Sequence, residues 1–285
     1  MKLSCNMIKI HSDFGLKKMI DVLVNVGFEG LDFNNDLEGY RADEHDKDFY
    51  LDLKKFADSK GFKFCQAHAP FPSSFADAEQ TEKRFNEIVT SMRNASYLGA
   101  PIIVVHPCYH LDTISFEANF EYNINFYKRL APYAKQFGIK IALENLGSKA
   151  PYNVCDGGDK IAELFDALND PNTFTVCFDV GHCLLVNKDP AEEIKKLGHR
   201  IGCTHVHDND GIHDSHTLPY SDYGTVDWES VMKALADVDY KGDLNYEASA
   251  FFKKAPLEIR TESLRYMASV GHYLIDRFYY YKENK

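Results

Sequence analysis

Eight short apolar runs recur along the chain at intervals of about 27–40 residues, the length of one strand plus one helix with its loops. They are Leu3–Ile8, Gly30–Phe33, Lys63–Ala67, Ile102–Val105, Lys140–Leu143, Thr175–Phe178, Gly202–Val206 and Asp243–Tyr246. Amphipathic stretches lie between them. Leu16–Val26 sets Leu16, Met19, Ile20, Leu23 and Val26 at helical spacing, and Phe49–Ser59, Phe85–Leu98 and Phe116–Phe137 do likewise. Gly27, Gly61, Gly99, Gly138 and Gly242 stand where helices end in a left-handed cap. The last helix is expected to begin near Ala255, with Pro256 in its first turn. Eight strand-then-helix units without a linker predict an α/β chain folded as one (β/α)8 TIM barrel over residues 1–285. The competing open, doubly wound sheet would carry a glycine-rich phosphate loop after its first strand, and Leu3–Gly15 has none.

The 285 residues are 45% hydrophobic, enough for one large core. A net charge of −11 repels phosphate backbones, so nucleic acid is not an expected partner. No apolar stretch approaches the roughly 20 residues of a membrane helix, and no apolar leader precedes His11 and Asp13. Seven cysteines, an odd number with no CxxC pair, fit a reducing cytoplasm rather than a disulfide framework. The expected partner is a small molecule; assembly into a homo-oligomer is left open.

In such a barrel the chemistry collects at the C-terminal ends of the strands. Strand three ends in His68 (QAHAPF), strand four in His106 (VVHPC) and strand five in Glu144 (IALENLG). Strand six ends in Asp179, with His182 three residues on (CFDVGHC). Strand seven gives His205 and His207 (THVHDND), then Asp214 and His216 (HDSH), and strand eight ends in Glu247 (NYEAS). One such residue is ordinarily just solvated at the barrel mouth. Six consecutive strands delivering them at one register bring like charges together, which is costly without a cation. A divalent metal is the economical answer, since mixed His and carboxylate ligands suit zinc or manganese. Strand alternation puts His205 and His207 on the same face and does not choose between them. His207, nearer the mouth, is the expected ligand, with His205 a layer deeper.

Taken together, ALEN, CFDVGH, HVHDNDG followed by DSH, and YE resemble the xylose isomerase-like TIM-barrel superfamily. That group holds sugar isomerases and epimerases, inosose and dehydroshikimate dehydratases, and endonuclease IV. The resemblance to its ketose 3-epimerases implies one metal on Glu144, Asp179, His207 and Glu247, with His182 on the substrate. An arginine those epimerases use falls at His213 here. The resemblance to endonuclease IV implies more than one ion, adding His68, His106, His182, Asp214 and His216. Against a nuclease, the 68–76, 106–113, 144–157 and 207–227 loops hold one Lys or Arg between them, Lys149.

The expected activity is metal-dependent isomerisation or epimerisation of a small sugar or polyol-derived substrate. Glu144 and Glu247 act as acid and base on the carbon beside a carbonyl; a dehydratase would share the first step. His68, His106, His182, Asn145 and His213 are expected on the substrate. Phe71, Tyr109 and Tyr152 are candidates for stacking on a sugar ring, and Trp228 is expected to dock a helix.

Overall fold

The computed structural model describes residues 1–108, 115–150 and 152–285. Eight strands occur among them: β1 (Leu3–Asn6), β2 (Gly30–Asn34), β3 (Lys63–His68), β4 (Ile102–Val105), β5 (Lys140–Glu144), β6 (Phe174–Asp179), β7 (Ile201–His205) and β8 (Leu244–Tyr246). They run parallel in the order β7-β6-β5-β4-β3-β2-β1-β8. The last seam, between β7 and β8, is closed by a single parallel bridge, Val206 to Tyr246. With helices between successive strands, this is the TIM barrel the spacing predicts.

Burial divides the apolar side chains in two. The larger set, including Leu31, Phe33, Ile103, Val105 and Leu143, packs outward against the helices. A small inner cluster of Val104, Ala142, Cys177 and Cys203 fills part of the barrel. Above it the inward residues become polar: Asp32, Glu144, Asp179 and His205 are all buried.

Two helices, Lys47–Ser59 and Ala78–Leu98, begin earlier than their apolar periodicity, whereas Phe116–Phe137 keeps its expected bounds. Asp46, Asp77 and Ser115 cap Lys47–Ser59, Ala78–Leu98 and Phe116–Phe137, each side chain accepting a backbone N–H three residues on. At the C-terminus the last helix starts a few residues later than expected. Ala250–Lys253 forms one turn, Pro256 stands outside any helix with φ −55 and ψ 150, and the long helix starts at Arg260. An extended ψ at Pro256 is incompatible with a first helical turn. Gly242 also departs from expectation: Trp228–Asp237 is followed by Asp239 in the left-handed region, φ 57.

Two register shifts matter for the site. Between β2 and β3, Leu31 faces Phe64 but Asp32 faces Gln66; between β6 and β7, Val176 faces Ile201 but Cys177 faces Cys203. Each inserts one residue, Cys65 or Gly202, and resets which side chains point inward.

Candidate active site and metal centre

Six strands supply the residues as expected. His68, Glu144, Asp179 and His205 end β3, β5, β6 and β7, while His106 and Glu247 follow β4 and β8 by one residue. They converge around His205. Its Nδ1 lies 2.9 Å from Glu144 Oε1, 3.7 Å from Glu247 Oε2 and 3.9 Å from Asp179 Oδ2. Of the two histidines expected at this level, His205 is the deeper, as expected, yet it is the one whose ring faces all three carboxylates; His207 meets Asp179. The shifted β6–β7 register pairs His205 with Asp179, so its ring is level with the strand-end carboxylates. His207, two residues on, rises to the rim, with Nε2 3.1 Å from Asp179 Oδ1.

A second group forms at that rim. Ligand atoms of His182, His207, Asp214 and His216 all lie within 4.8 Å of one another. Asp214 Oδ2 is 3.3 Å from His216 Nε2 and 3.6 Å from His182 Nε2. On the opposite side Glu144 Oε2 meets His106 Nε2 at 2.9 Å and His68 Nε2 at 3.4 Å. Every residue with a metal expectation therefore lies in one continuous cluster.

The local chain serves this placement. Asp179 caps the turn Val180–Leu185 through His182 N, at 2.6 Å, which swings His182 over the cluster. Gly181 leaves room for the His207 ring: a Cβ there would lie 2.0 Å from its Cε1. Asp208, buried, accepts from the N–H groups of Asn209, Thr225 and Val226 and from Trp228 Nε1, closing the base of the loop that carries Asp214 and His216. Trp228 is buried at a helix start, as expected.

The electrostatics of the cluster favour positive charge. Burial would raise the Glu144 carboxyl, but His205 and His106 override it and hold it well below the usual range. Burial opposes charge on His182 and His216, yet the carboxylates, Asp179 and Asp214 foremost, push them up to about 10 and about 9. The donor set fits a divalent metal on a further ground. His68, His182 and His216 each hold Nδ1 against a backbone carbonyl, that of Ala69, Asn145 or Glu247, at 2.8, 2.9 and 2.8 Å. That contact fixes the tautomer and turns Nε2 into the cluster, the arrangement of metal-binding imidazoles.

Other expected residues lie differently. Asn145 spends its amide on the Asp179 backbone, donating to O at 2.8 Å and accepting from N at 2.7 Å, so it braces β6 rather than facing a substrate. His213 is exposed on the outside of its loop, paired with Asp210 at 2.8 Å, and does not join the cluster. Phe71 stacks on His106, ring centroids 4.9 Å apart, while Tyr109 falls outside the described residues. Tyr152 is half-buried and Lys149 reaches Asn187 at 3.2 Å. The sequence reading passed over Asn6, whose Nδ2 donates to Glu247 Oε1 at 3.1 Å, and Asp32, beneath His205 at 3.4 Å. Reading the end of β1 at the same register as the other six would have found Asn6; Asp32 lies two residues before the end of β2, on the same face as Asn34.

The fold and this cluster define a barrel with an ionisable mouth. The family sequence described as xylose isomerase-like TIM barrel matches residues 20–269, and the chain belongs to that family. It is 25% identical over 258 residues to an inosose dehydratase of Clostridium botulinum (strain Alaska E43 / Type E3), covering 81% of this chain and 85% of the relative. Among solved structures, the IolI protein with a bound zinc atom superposes with a TM-score of 0.79 at 17% identity, covering 99% of both chains. A D-psicose 3-epimerase crystallised in the presence of D-fructose gives 0.77 at 15%, covering 96% of this chain and 99% of its own. At those identities the superpositions speak for the fold. No described helix is long and apolar enough to cross a membrane.

Proposed function

We propose that this chain is a metal-dependent isomerase or epimerase of a small sugar or polyol-derived substrate, working in the cytoplasm by proton transfer at the carbon beside a carbonyl. The observation that carries the reading is the pair of carboxylates, Glu144 and Glu247, facing the same His205 nitrogen from β5 and β8. Glu144, Asp179, His205 and Glu247 would hold the first zinc or manganese ion. His182, His207, Asp214 and His216 offer a second set. A divalent ion supplies positive charge against a carbonyl oxygen and the negative charge that develops there.

One glutamate removes the proton and the other returns it to the opposite face in an epimerase; in an isomerase one glutamate moves it between adjacent carbons. Asn6 and His106 orient the two carboxylates. A cleft of about 330 Å3 between Phe71, His106, Leu146, Ser148, His182 and Asp214 is sized for a small ligand. The inosose dehydratase relative favours a second reading, in which His182 delivers a proton to a departing β-hydroxyl after the same first step. The nuclease alternative sits poorly with mouth loops whose one Lys or Arg is Lys149.

Incubation with ketoses and inososes in heavy water decides among these. Deuterium on carbon in an isomeric product supports the epimerase, and loss of water supports the dehydratase. Incision of abasic duplex DNA with no exchange on any carbonyl substrate overturns both.

A further inference from the structure

We infer that Asp32 is a positioning residue that selects which ring nitrogen of His205 is offered to the metal. The inference rests on the proposed metal centre.

Three clustered imidazoles, His68, His182 and His216, are held from behind by backbone carbonyls at Nδ1 and turn Nε2 inward. His205 is oriented the other way round. Its Nδ1 faces Glu144, Glu247 and Asp179, while Nε2 points away from them to Asp32 Oδ2, 3.4 Å off. Both side chains are fully buried, and His205 Nε2 and Asp32 Oδ1 have no aligned hydrogen-bond partner. Such orphans are costly inside a barrel.

Asp32 is not free to turn away. Gln66 Nε2 donates to its Oδ2 at 3.0 Å and Asn245 Nδ2 at 3.3 Å. Gln66 reaches it because the register shift in β3 sets Gln66 opposite Asp32. The chain thus clamps a carboxylate, which only accepts, beneath a ring nitrogen that lacks an acceptor. A neutral imidazole has one N–H. Placed on Nε2, it points to Asp32 and leaves the Nδ1 lone pair aimed at the space between the three upper carboxylates, where a cation belongs. The opposite tautomer sets a lone pair against Asp32 and an N–H where the ion must sit.

The test compares zinc binding, by chelator competition, in the wild type, Asp32→Asn and His205→Ala, with thermal unfolding of each metal-free protein. The quantity read is the affinity of the zinc equivalent that His205→Ala removes. Asparagine keeps the shape but can donate to Nε2 and favour the wrong tautomer. Its zinc affinity should fall by about 10–100-fold, with metal-free unfolding close to wild type. Nitrogen-15 NMR of the zinc-loaded wild type should show the His205 proton on Nε2, a readout that does not depend on any variant folding. Unchanged affinity in Asp32→Asn, or a His205 proton absent from Nε2, overturns the role of Asp32 and leaves the centre standing. If His205→Ala removes no zinc equivalent, the metal centre itself is overturned.

Discussion

His205 and His207 leave the same face of one strand, and their difference in environment is a matter of depth. His205 is level with Glu144 and Asp179; His207 lies against Asp179 and stacks on His216, ring centroids 4.0 Å apart. His205→Ala should therefore remove the ion shared by the carboxylates, while His207→Ala keeps it and loses ions only from the rim group; elemental analysis of metal-supplemented protein checks this. Gly181 gives a companion expectation. An added methyl meets a buried ring, so Gly181→Ala should cost about 1–3 kcal/mol in denaturant unfolding, with rim metal lost. The inward direction of both histidines was legible in the HVH string. Their order in depth was legible too, but which of them stands level with the carboxylates was not, because period-two alternation carries no information about where a neighbouring strand ends.

Strands and helices were easier to read than the joints between them. The eight apolar runs match the eight strands to within a few residues, because a strand covered on both sides must be apolar almost throughout. The helix starts at Lys47 and Ala78 were missed because capping and polar first turns precede the apolar stripe. The two inserted strand residues left no mark in composition, yet they decide the site. Deleting Gly202 should slip the end of β7 by one residue and turn His205 out of the barrel, so metal binding should be lost even if a folded fraction survives. The loop base makes a gentler target. Asp208→Ala strips a buried carboxylate from four donors, and a loss of about 3 kcal/mol follows from charge-assisted bonds of that kind. Faster proteolysis between residues 209 and 227 than elsewhere would confirm that the loss is local.

Over the whole molecule, the proposed ligands from β5, β6, β7 and β8 meet at one point, so metal binding should stabilise the barrel as a unit. At a metal concentration 100 times its dissociation constant the gain is about 2.7 kcal/mol. For a domain of this size that is roughly 4–5 °C in melting temperature. Chelation should lower the transition by that amount, and re-addition should restore it. The β7–β8 seam adds a further consequence. The bridge at Val206 consists of Val206 N to Asn245 O at 2.8 Å and Glu247 N to Val206 O at 3.0 Å, with Thr204 Oγ1 to Asp243 O at 3.1 Å beside it. His205 stands on one side of that line and Glu247 on the other. A bracelet fastened at one place is worn or taken off there, and an ion held by both residues would be its clasp. Amide exchange at Val206 and Glu247 should slow on metal loading more than at Ile103, on the far wall. The proposed ion would then also decide how often the cylinder breathes open.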